Sequence, residues 1–535
     1  MKDIAVTDET MLDLLADTVA RHPDASAMHF FGRTICWSEV HEISSALAGG
    51  LAAHGVAAGD RVGLLMQNVP QYVLSLTAIW KVGAVAVPIN PMLTPKEVRF
   101  ILDDAAASAV IGLDSLLARA MADGAEWAPD LVVITTTAEH YAAAWPSALP
   151  RSEPVDVATA VTWQQVLDTA GQASKMPAPR AEKPAEEPAV LTYTSGTTGP
   201  PKGAINTHAN VVWVCRFYEH WLDIGDRDCI LAIAPLFHIT GLVAHIGPAI
   251  ATGCSVVLGY RFDVHVMADL IEQHRPTVTV GAITAFIALM TDPEVSHRDL
   301  TSLTTIYSGG APIAPTTVED FERTFGAYIH HISGLTEATG PCLAVPLGSR
   351  APTDTATGAL AAGVPVCNTD VKIVREDGTT ASPGEAGELA MRGPQVVPGY
   401  WRRDAESAHA IRDGWLFTGD VAVQDVSGWY YIVDRLKDQI NAAGFKVWPR
   451  EVEDALVSHP DVVEAAVVGV PDEYRGETVK AFVVVVAGST VSADDLIQYA
   501  RGRLAAYKYP RLVDIVEELP RTASGKIMRR ALRST

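Results

Sequence analysis

Residues 192–203 read TYTSGTTGPPKG. Thr194, Ser195, Gly196, Thr197, Thr198 and Gly199 offer backbone N–H groups and four hydroxyls, and the glycines let a ligand approach the backbone closely. Lys202 adds a nearby cation. This chemistry suits phosphate. A Walker loop has glycine directly before its lysine and Ser or Thr directly after, whereas the neighbours here are Pro201 and Gly203. A flexible Gly/Ser/Thr linker is the competing reading. It is disfavoured because AVLTY at 189–193, directly before the loop, reads as a buried strand. The loop alone indicates phosphate without naming the reaction.

Other stretches carry chemistry at wide spacing. At 333–337, SGLTE places a carboxylate, Glu337, beside the hydroxyl of Thr336. That pair suits Mg²⁺, a hard ion that takes few protein ligands and shares phosphate oxygens. Asp420, after the tight turn of Thr418 and Gly419, can accept hydrogen bonds from a ribose diol. Taken singly, Glu337 reads as a solvated acid and Asp420 as a turn-stabilising residue. His238 follows Phe237 in an apolar stretch, PLFH at 235–238, where a lone histidine is more often structural. The last fifteen residues hold Arg521, Lys526, Arg529, Arg530 and Arg533 with no acid among them, and the default reading of the arginines is a solvated basic tail.

Taken together and in order, YTSGTTGPPKG, PLFH, SGGAP at 308–312, GLTE, TGD at 418–420 and PRTASGK at 520–526 resemble the motifs of the acyl-adenylate-forming superfamily, which includes acyl-CoA synthetases, luciferases and peptide-synthetase adenylation domains. The resemblance spans most of the chain. It implies that Lys202 and the 194–199 loop hold the ATP phosphates. It further implies that Gly309, Gly310 and Ala311 line the adenine site with Ser333 and Gly334, and that Asp420 and Arg435 hold the ribose. Thr336 and Glu337 serve catalysis, with Glu337 on the metal. Lys526 reaches the substrate carboxylate and α-phosphate, where a preorganised charge meets the growing anion. By the same resemblance Phe237, His238, Ser308 and Gly309 form the acyl pocket or its gate, Lys437 is a hinge, and Gly444 meets coenzyme A. One position departs from the pattern: Ser333 stands where the family carries an aromatic residue that stacks on adenine.

These residues need a scaffold. A chain of 535 residues exceeds one core's usual limit of roughly 250–300, so at least two domains are expected. Apolar runs at 61–66 and 82–87 alternate with helical patterns, which predicts α/β layering. The Pro-, Ala- and charge-rich stretch 171–188 reads as an exposed loop, and Thr207 as the cap of a helix from His208. Two strands joined by a turn at 425–428 lead into the charge cluster at 434–438, where the boundary is expected. Beyond it, Pro449 starts a helix, 462–470 and 479–486 read as strands, and 492–495 resembles a capping box. The expected fold class is α/β: a large multi-sheet N-terminal domain over 1–434, and a small mobile α+β domain over 435–535 that carries Lys526.

Composition narrows the partners. A net charge of −22 opposes nucleic acid and anionic membranes, so a polyanionic ligand must be held by a few local cations and backbone dipoles. The least charged stretch, 242–260, contains His245, Pro248 and three glycines and reads as a buried helix and strand rather than a membrane span. The N-terminus lacks a signal-peptide pattern, and six scattered cysteines show no CxxC spacing, so a reducing cytoplasm is expected.

The resulting expectation is an AMP-forming acyl-CoA synthetase. It joins an apolar carboxylic acid to coenzyme A through acyl-AMP, using ATP and Mg²⁺. A homo-oligomer is left open. Segments 281–286 and 308–310 are rich in small residues and hold no cation, which points to an apolar acyl or aryl group. The alternatives are a stand-alone enzyme loading a carrier protein, a luciferase-like oxygenase and an inactive nucleotide-binding regulator. A multidomain peptide synthetase is disfavoured because the chain ends soon after Lys526 with no carrier domain, which leaves the stand-alone carrier-loading enzyme open; against the regulator, Lys202, Glu337 and Lys526 are all present.

Overall fold

A computed structural model describes residues 2–122, 127–151, 154–157, 159–169, 184–194, 200–311, 313–354, 359–435, 438–442, 445–472, 476–521 and 527–533. The N-terminal part is built on three sheets. A seven-stranded sheet carries parallel strands Arg61–Leu65, Val85–Pro88 and Ala109–Leu113, and ends in the antiparallel pair Pro188–Thr194 and Lys202–Thr207. Strands buried on both faces read as continuous apolar runs rather than as alternations, and Val62 to Leu65 are all buried as the run at 61–66 predicts.

A nine-stranded sheet forms the second layer. Within it Cys229–Leu231, Val278–Ala282, Thr305–Gly309 and Ile329–Leu335 are neighbours and parallel, with Ile230 opposite Val278, Gly281 opposite Ser308, and Ser308 opposite His331. Their carboxyl ends therefore share one edge. The expected helix and strand within 242–260 are present as a π-helical turn Leu242–Ile246, the helix Gly247–Thr252 and the strand Ser255–Leu258. The third sheet is antiparallel and contains Ala386–Arg392, Trp415–Gln424 and Tyr430–Arg435.

The small C-terminal domain is α+β. Its sheet pairs Val462–Asp472 with Gly476–Val485 along their length, and the helix Pro449–Val457 buries Val452 and Leu456 against it. Ser492 and Asp495 form the expected capping box at the helix Ala493–Arg501, an arrangement worth about 1 kcal/mol.

The strand Tyr430–Arg435 runs through the first two residues of the 434–438 cluster. The Asp434 carboxylate is buried, and its Oδ2 accepts the Arg450 N–H at 2.9 Å. One local expectation is corrected: the tail is not solvated throughout. Arg529 contacts Glu453 at 2.8 Å, Asp438 at 3.5 Å and Asp434 at 3.8 Å, and Arg533 meets Asp438 at 3.1 Å. Burying one cation is offset here by three carboxylates. The predicted loop 171–188 lies outside the described residues up to 183, and Pro188 opens a strand.

Candidate active site

Ligands of open parallel sheets bind beyond the carboxyl ends of the strands, and the motif residues collect there. PLFH follows the strand Cys229–Leu231, Gly310 and Ala311 follow Thr305–Gly309, and Thr336 with Glu337 follows Ile329–Leu335. The backbone at Gly309 passes close under its neighbour: a Cβ there would lie 2.4 Å from the Ile332 carbonyl oxygen, so only glycine fits. At Gly334 a Cβ would meet the Gly340 carbonyl oxygen at 2.1 Å. Ser333 and Gly334 thus lie on a strand end packed directly against Gly340–Ala344.

The hairpin that carries the expected phosphate loop is closed at its base. Thr194 and Lys202 face each other in register, and the Thr194 hydroxyl lies 3.4 Å from the Lys202 carbonyl oxygen. Ser195, Gly196, Thr197, Thr198 and Gly199 lie outside the described residues, as do Lys437, Gly444 and Lys526; Arg435 is described by its backbone alone.

Lys202 and Glu337 come together through a residue that the sequence reading did not single out. The Lys202 ammonium lies 5.1 Å from the centroid of the Tyr400 ring, and the Tyr400 hydroxyl donates to Glu337 Oε1 at 2.8 Å. Burial, followed by the Glu337 charge, pushes the phenol's pKa up, so the hydroxyl keeps its proton and donates. The segment around Tyr400 is fastened by its backbone. Ile205 N–H donates to the Gly399 carbonyl at 3.0 Å, Trp401 N–H to Gly203 at 2.8 Å, and Val397 N–H to Glu337 at 3.0 Å. Asn206 completes the corner, donating to the Thr336 carbonyl at 3.2 Å and the Thr339 hydroxyl at 3.0 Å. The only sequence signal for Tyr400 was an aromatic residue directly after a Pro-Gly pair at 398–399.

Asp420 sits in a bulge. Between Glu388 and Ala390 the register slips, so that residues 418–420 stand opposite Leu389, and Gly419 takes φ +71°. The Thr418 hydroxyl donates to the Leu389 carbonyl at 2.9 Å and accepts the Asp420 N–H at 3.1 Å. Bulges re-aim a side chain. Burial and then the Asp420 charge push the Cys342 thiol up to about 12, and Cys342 Sγ lies 3.4 Å from the Ser333 carbonyl.

Of the residues expected at the acyl pocket, Phe237 and Ser308 are buried, and His238 is half-buried with its Nδ1 accepting the Thr240 N–H at 3.3 Å. The imidazole thus caps the short turn Ile239–Gly241. Among the described residues no group of three or more His, Cys, Asp or Glu could enclose a metal ion. Glu337 with substrate phosphates is instead a donor set that fits Mg²⁺, which is bound through one or two carboxylates.

Residues 15–401 match the family model described as AMP-binding enzyme, and residues 451–526 match the AMP-binding enzyme C-terminal domain. The chain belongs to the AMP-binding enzyme family. This AMP-binding enzyme is 36% identical to a long-chain-fatty-acid–CoA ligase of Bacillus subtilis (strain 168), covering 99% of this chain and 95% of that protein. It is 35% identical to a feruloyl-CoA synthase of Amycolatopsis sp, with 96% of each covered. Among solved structures, the anthranilate CoA ligase AuaEII in complex with anthranoyl-AMP superposes with a TM-score of 0.86 at 26% identity, covering 99% of this chain and 98% of that one. The o-succinylbenzoate CoA synthetase of Bacillus subtilis in complex with ATP and magnesium ion gives 0.80 at 29% identity, covering 97% and 98%. The adenylate-forming fold expected from the motifs is therefore the fold observed, and no helix among the described residues is long and apolar enough to cross a membrane.

Proposed function

We infer that the protein is an AMP-forming acyl-CoA synthetase of the cytoplasm that activates an apolar aliphatic or aryl carboxylic acid. The observation that carries this reading is the link from Lys202 through Tyr400 to Glu337, which joins the phosphate hairpin to a carboxylate at the carboxyl edge of the parallel strands. The fatty-acid and feruloyl ligases among its relatives support both acid classes.

The substrate carboxylate attacks the ATP α-phosphorus. The bond to the bridging oxygen of the β-phosphate breaks, and pyrophosphate leaves. The coenzyme A thiolate then attacks the acyl carbonyl and AMP departs. Holding the reactants in one site removes much of the entropic barrier to each step. Lys202 and the backbone of the 194–199 loop hold the phosphates, Thr336 and Glu337 lie beside them, and Asp420 and Arg435 hold the ribose. Gly309, Gly310, Ala311, Ser333 and Gly334 form the adenine slot, while Phe237, His238 and Ser308 border the acyl group. Mg²⁺ bound at Glu337 supplies positive charge to the triphosphate. Lys526 stabilises the anion that grows on the α-phosphate in the first step. We place the domain boundary at 434/435, with Lys437 as the hinge that turns the small domain so that coenzyme A enters past Gly444.

Product chromatography tests the reading. Incubated with ATP, Mg²⁺, coenzyme A and a panel of alkanoic and aromatic acids, the enzyme is expected to release AMP and pyrophosphate in an acid-dependent manner. ADP and orthophosphate as the products would overturn it.

A further inference from the structure

A lysine and a glutamate placed at one site attract each other, and an ion pair between them would cancel the two charges that a metal–triphosphate needs. In this structure each of them instead meets Tyr400: Lys202 stands over the ring face and Glu337 accepts from the hydroxyl. The ring's place between them is fixed by its backbone. The chain at Tyr400 forms a bridge with Ala204, the Tyr400 N–H donates to Ser407 Oγ at 2.8 Å, and Ser407 Oγ donates to the Arg403 carbonyl at 2.7 Å. At Gly399 a Cβ would lie 2.7 Å from Ser407 Oγ, so the backbone just before Tyr400 is packed directly against that serine.

We propose that Tyr400 is a positioning residue for metal-bound ATP: it spaces Lys202 from Glu337 and ties down one carboxylate oxygen, Oε1, so that Oε2 is presented to the metal. The proposal rests on the reading of Glu337 as the Mg²⁺ ligand. A carboxylate has lone pairs enough for both partners, and groups that hydrogen-bond a metal ligand typically change metal affinity or activity by about 10–100-fold when removed. The two halves of the side chain do separable work. The hydroxyl acts on the metal through Glu337, and the ring acts on the phosphates through Lys202.

Tyr400→Phe keeps the ring and removes the hydroxyl, whereas Tyr400→Leu removes both. Binding of Mn²⁺ is followed by electron paramagnetic resonance on the full chain in the presence of α,β-methylene-ATP, which cannot be cleaved between those phosphates. Binding of the analogue without metal is followed by calorimetry. For Tyr400→Phe the Mn²⁺ Kd is expected to rise about 10-fold or more, with metal-free analogue binding unchanged and with excess Mg²⁺ restoring pyrophosphate release. For Tyr400→Leu the metal-free analogue also binds more weakly. Glu337→Gln serves as the reference. If it raises the Mn²⁺ Kd while Tyr400→Phe stays within about twofold of wild type, the positioning role is wrong. If Glu337→Gln itself leaves the Kd unchanged, the metal reading of Glu337 falls instead. Should Tyr400→Phe not fold, Tyr400→Gln carries the test: it keeps a donor without the ring, and loss of metal-free analogue binding with little change in the Mn²⁺ Kd supports the division of labour, while the opposite pattern overturns it.

Discussion

Asp420 and Arg435 stand directly opposite each other across the antiparallel strands Trp415–Gln424 and Tyr430–Arg435. Two residues proposed to share one ribose are thus held as cross-strand partners, with the bulge at Gly419 setting the angle of the first. Hydrogen bonds to a charged group contribute about 1.5–3 kcal/mol. Asp420→Ala is therefore expected to weaken ATP binding by about 10–100-fold, measured by calorimetry. Binding of pyrophosphate, which lacks a ribose, stays unchanged.

Lys526→Ala is expected to slow acid-dependent pyrophosphate release by about 10²–10³-fold, the scale for losing one group that stabilises developing charge. ATP binding changes much less. Pyrophosphate release at the wild-type rate would remove Lys526 from the mechanism.

Lys437→Pro fixes φ at the proposed hinge. Acyl-AMP formation in a single turnover is expected to persist while transfer to coenzyme A slows. Equal loss of both half-reactions speaks against the hinge.

Arg529 gathers Glu453, Asp438 and Asp434 around one guanidinium. Removing one partner of a buried ion pair costs about 3–5 kcal/mol, because the charge left behind is uncompensated. Arg529→Met should therefore lower hydrogen-exchange protection in the helix Pro449–Val457, which carries Glu453, and leave the strand Pro188–Thr194 as it was. Arg529→Met combined with Glu453→Gln should recover part of the loss, as a double-mutant cycle reads it.

His208 is buried, its Nδ1 accepting the Met11 N–H at 3.4 Å, and burial lowers its pKa to about 4. Its folded-state pKa lies below the ordinary value of about 6.5. The contribution is thus fully present above pH 6.5 and is lost as pH falls toward 4, at about 1.4 kcal/mol per pH unit inside that window. His208→Asn keeps an acceptor for Met11 and should flatten the stability curve by about one proton between pH 6.5 and 4, read from urea unfolding at several pH values.

Much of this architecture was legible in the sequence because its signals are local. The 61–66 run, the Thr207 cap and the 492–495 box each depend on a few consecutive side chains, and each appears in the fold. Glu337, Asp420 and Lys526 stand out only as members of an ordered series and their roles remain proposals, since alone each resembles an ordinary surface residue. Tyr400 was not legible. Its role arises from contacts with Lys202 and Glu337, far away along the chain, and no local pattern encodes them. Arg529 was misread for a similar reason: its acids are supplied by Glu453, Asp438 and Asp434 rather than by its own segment.

The bonds from residues 397–401 to Gly203, Ile205 and Glu337 also bear on the protein's birth. Chains emerge N-terminal end first, and domains generally fold as units, while pairings distant in sequence form late because their loops must close first. The phosphate hairpin near residue 200 is synthesised long before the segment that braces it. A ribosome-bound chain stalled short of residue 400 therefore lacks the brace between Lys202 and Glu337, and the ATP cradle proposed above is unfinished during early folding.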